Sequence, residues 1–142
     1  RPIAVRVADC VSIFLFDPVT RTGGLVHAGR RGTFENIASA AVFEMTERMG
    51  GRAGDIHALV GPSAGPCCYE VSTEMAAKFT GRGLPARGRN LDLWESNAQQ
   101  LSRAGVPRHQ VTIAGICTIC DGRFHSYRAD QNAGRNVALL AL

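Results

Sequence analysis

The stretch Val11–His27 reads VSIFLFDPVTRTGGLVH, and its pattern decides how the chain begins to fold. Two apolar runs of β type, Val11–Phe16 and Gly24–His27, flank the segment Asp17–Gly23, in which Pro and Gly mark a turn. Apolar runs joined by such a turn predict a β-hairpin. In a hairpin, the start of the first strand and the end of the second lie at the same end of the ladder.

A thiol and an imidazole stand at that end, because Cys10 precedes the first run and His27 closes the second. Cys and His together suit a zinc or copper site, or a thiolate nucleophile with its base. A buried free cysteine beside a hydrogen-bonded histidine fits the same pattern. A catalytic zinc needs three protein ligands, and no third ligand stands out in a neighbouring strand. The residues alone leave these interpretations open.

The rest of the chain mixes strands and helices without regular alternation. The predicted strands are Ile3–Val7, Ile56–Val60, Val111–Ile116, Phe124–Arg128 and Asn136–Leu142, and the predicted helices are Thr33–Met49, Val71–Thr80 and Asp92–Gly105. Thr33 is expected to be the N-cap of the first helix, which Gly50-Gly51 ends. No repeat or linker is visible. We therefore predict one α+β domain over residues 1–142, with a mixed β-sheet core and helices packed outside.

Composition restricts the partners and the compartment. The net charge is +4, and the basic residues are scattered rather than interleaved with aromatics, which argues against nucleic-acid binding. No apolar run approaches the roughly 18 residues that a membrane span requires. The five cysteines include an adjacent pair and make a poor disulfide framework. We expect free thiols, a cytoplasmic location and no membrane partner, while the oligomeric state is left open.

The turn after His27 predicts an anion site. Gly29, Arg30, Arg31 and Gly32 lead directly into the predicted helix, whose N-terminus offers free N–H groups and a favourable dipole. Two arginines add donors that suit phosphate. A solvated basic turn is the alternative. The pattern therefore places phosphate beside the imidazole.

Two other groups of residues contain side chains that could carry chemistry. Cys117 and Cys120 form a C-x-x-C, but the adjacent pair Cys67-Cys68 does not have the spacing of a second zinc-binding pair. No histidine has Glu two places on, which excludes the zinc nucleoside deaminase motif. Near the C-terminus, the side chains of Tyr127 and Arg128 could stack on or bond a planar ligand, or could cap a loop.

Six motifs occur in order and together resemble the YfiH-like laccase-domain family, once called multicopper polyphenol oxidase. They are Ala8-Asp9-Cys10; His27-Ala28-Gly29 with Arg31-Gly32; Gly61-Pro62-Ser63-Ala64-Gly65-Pro66 with Tyr69-Glu70-Val71; Leu91-Asp92-Leu93-Trp94; Cys117-Thr118; and Ser126-Tyr127-Arg128 with Asp130 and Gly134-Arg135. The resemblance runs through nearly the whole chain.

The resemblance implies a zinc-dependent purine nucleoside phosphorylase that splits adenosine, inosine or methylthioadenosine with phosphate, and that has adenosine deaminase activity besides. It implies Cys10 and His27 as metal ligands, with a third His in a Q-V-H segment expected upstream of Arg1. Phosphate would sit on Gly29–Gly32 with Arg31 as its charge partner. The chain is thus expected to be the C-terminal part of a longer domain. Without the third ligand we expect it to bind zinc weakly or not at all, and it could be inactive alone.

Three residues depart from the family pattern. Arg30 replaces the usual Trp, His125 the usual Phe and Ala129 the usual Arg, which puts substrate affinity in question. Three other functions therefore stay open. They are a metal-free cysteine hydrolase that uses Cys10 and His27, a copper-dependent polyphenol oxidase, and a degenerate non-catalytic regulatory domain. The oxidase is the weakest, because the chain has only four histidines.

Overall fold

A computed structural model describes all residues, Arg1–Leu142. The strands are β1 Ile3–Val7, β2 Val11–Asp17, β3 Thr22–Ala28, β4 His57–Val60, β5 Ala86–Arg87, β6 Asn90–Leu91, β7 Val111–Ile113 and β8 Asn136–Leu140; the α-helices are α1 Arg30–Phe34, α2 Ile37–Glu47, α3 Thr73–Gly81 and α4 Leu93–Arg103. The α+β prediction is confirmed. No helix has the length and apolar character needed to cross a membrane.

The predicted hairpin is present. Strands β2 and β3 pair antiparallel from Val11 opposite Ala28 to Asp17 opposite Thr22. At the turn, the Asp17 carboxylate accepts from the backbone N–H of Val19 at 2.8 Å and of Thr20 at 3.1 Å. These bonds hold the turn in the shape that the register requires.

The main sheet is mixed and has the strand order β3-β2-β4-β7. Strand β4 runs antiparallel to β2 and parallel to β7, while β1 pairs with β8 as a separate ribbon. Side chains at alternate positions of β2, those of Val11, Ile13 and Leu15, are fully buried in the core. Helices α2 and α4 contact the sheet through β3 and β7, respectively. The hairpin therefore forms one side of the core. At its open end Val11 and Ala28 are buried, Cys10 is half-buried and His27 is exposed.

The predicted helix start at Thr33 is wrong. The helical segment is broken into α1 and α2 by Asn36, whose φ is +65°. Thr33 lies buried inside α1, where its hydroxyl donates to Ala28 O at 3.4 Å and accepts from Asn97 Nδ2 at 3.0 Å. Thr33 bonds to Asn97 on α4, which is distant in sequence, and does not cap a helix. The local sequence pattern of an N-cap was therefore misleading.

The segment Phe124–Arg128 is not the predicted strand but a series of turns. The backbone N–H of Asp130 donates to Ser126 O at 3.0 Å, and that of Ala129 donates to Ser126 Oγ at 3.1 Å. The N–H of Arg128 is taken by a carboxylate oxygen of Asp9 at 2.8 Å. Within the segment, the N–H of His125 likewise donates to a side chain, Asn136 Oδ1, at 3.0 Å. The N–H groups of His125 and Arg128 thus bond to side chains and not to the backbone of a neighbouring strand.

Candidate functional site

The hairpin brings Cys10 and His27 to one place beside Gly29. Cys10 lies just before Val11, which pairs with Ala28, so it faces the residue that follows β3. A Cβ atom on Gly29 would lie 3.0 Å from Cys10 Sγ and 3.8 Å from His27 Nε2. Glycine therefore leaves open the space onto which the thiol and the imidazole converge.

These two side chains could supply two of the three protein ligands of a catalytic metal site. Sulfur and nitrogen donors are those that zinc and copper prefer, and both side chains lie beside Gly29. Burial raises the pKa of the half-buried Cys10 thiol, and the negative charge of Asp9 raises it further. A free Cys10 is thus a poor thiolate nucleophile, whereas a bound cation would favour its deprotonated form.

A cavity of about 280 Å³ opens at this pair. Cys10, His27 and Tyr127 line it together with two arginines, Arg6 and Arg135. The Tyr127 side chain is 48% exposed and offers a ring at the mouth. The charge of the wall is positive, which suits an anionic ligand.

Gly29–Gly32 is not a turn that precedes the helix: Gly29 is the N-cap of α1, and Arg30, Arg31 and Gly32 form the start of this helix, which has only five residues. Neither Arg31 nor Gly32 lines the cavity. The Arg31 side chain is 89% exposed, and its Nε lies 3.0 Å from Glu35 Oε1. An exposed pair of this kind contributes at most about 1 kcal/mol, so it leaves the guanidinium free to move to an anion. The assignment of Arg31 to phosphate stays a prediction.

Arg128 is held at the rim of the site by Tyr69 and Glu70. Its guanidinium carbon lies 4.6 Å from the centre of the Tyr69 ring, and Nη1 donates to Glu70 O at 2.6 Å. Burial raises the pKa of the Tyr69 hydroxyl, although the charges of Arg128 and Arg30 oppose this rise. Sequence reasoning assigned no chemistry to Tyr69, although its motif was one of the six.

The sequence interpretation also assigned no role to Asp9, which accepts hydrogen bonds from three other segments of the chain. Its side chain is 7% exposed, Oδ1 accepts from Thr118 Oγ1 at 2.7 Å, and Oδ2 accepts from the Arg128 N–H. Its carbonyl oxygen accepts from Ala64 N at 2.8 Å. The φ of Asp9 is +82°, an uncommon conformation for a residue other than glycine. The position next to Cys10 was the only signal for it in the sequence.

Of the three departures from the family pattern, Arg30 adjoins the site, because it follows Gly29, which lies beside Cys10 and His27. His125 and Ala129 line a separate cavity of about 390 Å³ that does not include Cys10 or His27. The concern about these two residues therefore applies to another part of the surface.

The interpretation that Cys67 and Cys68 do not supply a second pair of zinc ligands is wrong, because the fold brings them next to Cys117 and Cys120. The Sγ atoms of Cys67, Cys68, Cys117 and Cys120 all lie within 4.8 Å of one another, so this group could hold a metal ion. Burial raises the pKa of the Cys117 thiol, but N–H donors, first among them Gly65, outweigh it and lower that pKa to about 7. Burial and its cysteine neighbours raise the pKa of Cys68 to about 12. The 48 residues between the two pairs concealed the group.

Comparisons with known proteins agree with this architecture. A model of the family described as multi-copper polyphenol oxidoreductase laccase matches residues 1–142. Purine nucleoside phosphorylase YlmD of Bacillus subtilis is 33% identical over 155 residues, covering 99% of this chain and 54% of the relative. Adenosine deaminase RL5, from an unknown prokaryotic organism, is 35% identical over 145 residues, covering 94% of this chain and 55% of the relative.

Solved structures resemble this fold as well. The crystal structure of YlmD from Geobacillus stearothermophilus matches with a TM-score of 0.87 at 34% identity, covering 97% of this chain and 56% of that one. The chain therefore spans about half the length of the curated relatives it matches.

Proposed function

This chain belongs to the multi-copper polyphenol oxidoreductase laccase family, and we propose that it acts as a zinc-dependent purine nucleoside phosphorylase. The observation that carries the proposal is the convergence of Cys10 and His27 on the space beside Gly29, in a cavity lined by Arg6 and Arg135. Such a site offers soft metal ligands next to positive charge. The names of relatives such as YlmD supply the purine nucleoside.

Phosphate binding is the task we assign to the arginines. Arg31 leaves its weak exposed pair with Glu35 and, with the N–H groups of Gly29–Gly32, holds the anion beside His27. Arg6 and Arg135, which line the cavity, add positive charge. The anion is thereby oriented toward the sugar, and its positioning lowers the entropic part of the barrier.

The nucleoside lies with its base on the exposed ring of Tyr127, which lines the cavity. Arg128, which follows Tyr127 but does not line the cavity, bonds the polar edge of the base. The bond between the sugar C1′ and the purine nitrogen breaks, and the base leaves with its electron pair. An oxygen of dihydrogen phosphate forms the new bond to C1′, and its proton passes to the base. Zinc held by Cys10, His27 and the third His ligand that the family resemblance implies would supply Lewis acidity at this site. Adenosine, inosine and methylthioadenosine are the proposed substrates.

Adenosine deamination is a second proposed activity, which the similarity to RL5 favours. It would use the same base position and the same two metal-binding side chains, with water as the attacking group. We place both reactions in the reducing cytoplasm, since all five cysteines are free thiols.

The test is product analysis with inosine in the presence and absence of phosphate, on protein that carries a third His ligand as well as Cys10 and His27. We expect hypoxanthine and ribose 1-phosphate only when phosphate is present, and loss of both products in Cys10→Ser. Absence of any phosphate-dependent product contradicts the proposal. Alkylation of Cys10 that zinc does not prevent would favour the cysteine hydrolase, and full occupancy by copper would favour the polyphenol oxidase. Absence of every activity with bound zinc would favour a non-catalytic domain.

A further inference from the structure

The four cysteines Cys67, Cys68, Cys117 and Cys120 form a second group of soft ligands, outside the Cys10 cavity. We propose that they bind one structural Zn²⁺ ion, which fastens together the two loops that carry them. This inference does not depend on the phosphorylase activity, because it concerns other side chains and is measured without substrate.

The spacing of the sulfur atoms fits a single tetrahedral ion. Zinc–sulfur bonds of about 2.3 Å place the sulfurs of a tetrahedral site about 3.8 Å apart. The Sγ atoms of Cys67 and Cys120 lie 3.9 Å apart, and no pair in the group exceeds 4.8 Å. An iron–sulfur cluster also contains inorganic sulfide and several irons, and would hold the thiolates farther apart. Four thiolates in this arrangement are typical of structural zinc.

Each pair of cysteines is carried on a single backbone turn. In the first turn, the N–H groups of Cys68 and Tyr69 both donate to Gly65 O, at 3.0 and 2.9 Å. In the second, Asp121 N donates to Cys117 O at 2.9 Å, which puts Cys117 and Cys120 on one side of a helical turn. The turns thus present both pairs to one point, although Cys67 and Cys68 are adjacent in sequence.

The two turns are already joined by the backbone. Ser63 N donates to Ile116 O at 3.1 Å, and Thr118 N donates to Ser63 O at 3.0 Å. Gly65 N donates to Cys117 Sγ at 3.3 Å, a bond that stabilises negative charge on a sulfur ligand. These hydrogen bonds hold the two turns together without a bound ion.

Gly65 is required for this close approach. A Cβ atom there would lie 2.6 Å from the Trp94 ring and 3.1 Å from Cys117 Cβ. Trp94 in turn donates from Nε1 to Ser63 Oγ at 2.8 Å, so the loop is packed as well as bonded. Cys67 and Cys120 are exposed, which gives a metal ion a path from solvent.

The proposed zinc would act on the first site through one bond. Thr118 follows the ligand Cys117 and donates to the Asp9 carboxylate, and Asp9 precedes Cys10. Fixing the Cys117–Cys120 turn therefore fixes the residue that orients the start of β2. We infer a positioning role for this ion, not a catalytic one.

The experiment is metal analysis of the purified, reduced protein in three forms: wild type, Cys10→Ser and Cys120→Ser. Zinc-edge X-ray absorption of Cys10→Ser should show four sulfurs at about 2.3 Å. Co²⁺ titration of that variant should give the intense visible bands of tetrahedral cobalt thiolate, and these bands should be lost in Cys120→Ser. Zinc should also raise the melting temperature of Cys10→Ser by more than about 5 °C.

Cys10→Ser is the matched control, because it changes a thiol outside the group in the same way. Circular dichroism of metal-free Cys120→Ser checks that this variant is folded, and a Cys67→Ser variant provides a second readout at another exposed ligand. Absence of cobalt thiolate bands in wild-type protein whose thiols are shown to be reduced would overturn the proposal. So would zinc content unchanged in both ligand variants, iron or copper in place of zinc, or a disulfide within the group under reducing conditions.

Discussion

The hydroxyl of Thr118 donates to the carboxylate of Asp9 at 2.7 Å, although 109 residues separate them in sequence. Both side chains are buried. Asp9 precedes Cys10, and Thr118 follows Cys117, so this single bond connects the candidate catalytic site with the cysteine group. Asp9 is therefore a positioning residue of the candidate site.

Asp9→Asn is expected to lower the free energy of unfolding by about 1–3 kcal/mol. Asparagine has one acceptor oxygen where the carboxylate satisfies both Thr118 and the N–H of Arg128, so one buried donor is left without a partner. It also tolerates the positive φ, so backbone strain does not explain the loss. Urea unfolding measures the change. Glu47→Gln, at an exposed carboxylate, is the control and should show almost none.

Gly29→Ala should disable the Cys10 and His27 site while leaving the fold intact. The added methyl group would lie 3.0 Å from Cys10 Sγ and would displace the thiol from the imidazole. We expect kcat/KM for inosine to fall by about 10- to 100-fold, with a matching loss of metal affinity. Gly54→Ala is the control, since nothing lies within 4 Å of its added Cβ. Equal activity of the two variants would mean that the space at Gly29 is not used.

Arg31→Ala should raise the KM for phosphate by about 10-fold or more, through loss of a charged hydrogen bond to the anion. Arg48→Ala is a close control, because Arg48 makes the same exposed i,i+4 pair with Glu44 that Arg31 makes with Glu35. Phosphate dependence of the initial rate measures both. If the two variants behave alike, Arg31 is not the phosphate residue.

Asp17→Asn should cost stability at neutral pH but not in acid. Burial tends to raise the pKa of Asp17, yet the N–H groups of Thr20 and Val19 outweigh it and lower the pKa below its usual value. A lowered pKa in the folded state contributes stability above the unfolded pKa of about 4, and this is lost as pH falls through the folded pKa. An asparagine side chain at this position can still accept these hydrogen bonds in the turn, but it carries no negative charge.

The measurement for Asp17 is urea unfolding of wild type and Asp17→Asn over a pH series from neutral to acid. The difference in unfolding free energy should shrink steadily below about pH 4. A difference that is constant over the whole series would show that the charge of Asp17 contributes nothing and that only its geometry matters.

The sequence predicted local features well and long-range ones poorly. The hairpin, α3 and α4 follow from apolar periodicity and turn residues, and Asp92 caps α4 as a helix-start residue should, accepting from Glu95 N at 2.9 Å. Cys10 and His27 could be brought together because one hairpin connects them. By contrast, no local pattern reveals the break at Asn36 or the hydrogen bond of Thr33 to Asn97 on α4.

The remaining site residues depend on contacts between distant segments. Asp9 acquires its role from Thr118 and Arg128, and the group that contains Cys67 and Cys120 joins turns that are far apart in sequence. An adjacent cysteine pair has no recognised spacing for zinc, so only the fold shows that it faces the C-x-x-C. Resemblance supplied the substrate class, which neither spacing nor charge can provide.

Phosphorus NMR of purified protein that carries a third His ligand, with inosine and inorganic phosphate, tests the central claim most directly. The proposed phosphorolysis predicts that inorganic phosphate is converted to ribose 1-phosphate in equal amount to the hypoxanthine released, and that Cys10→Ser abolishes both signals. Release of hypoxanthine with no consumption of phosphate, or conversion that continues unchanged in Cys10→Ser, would contradict it.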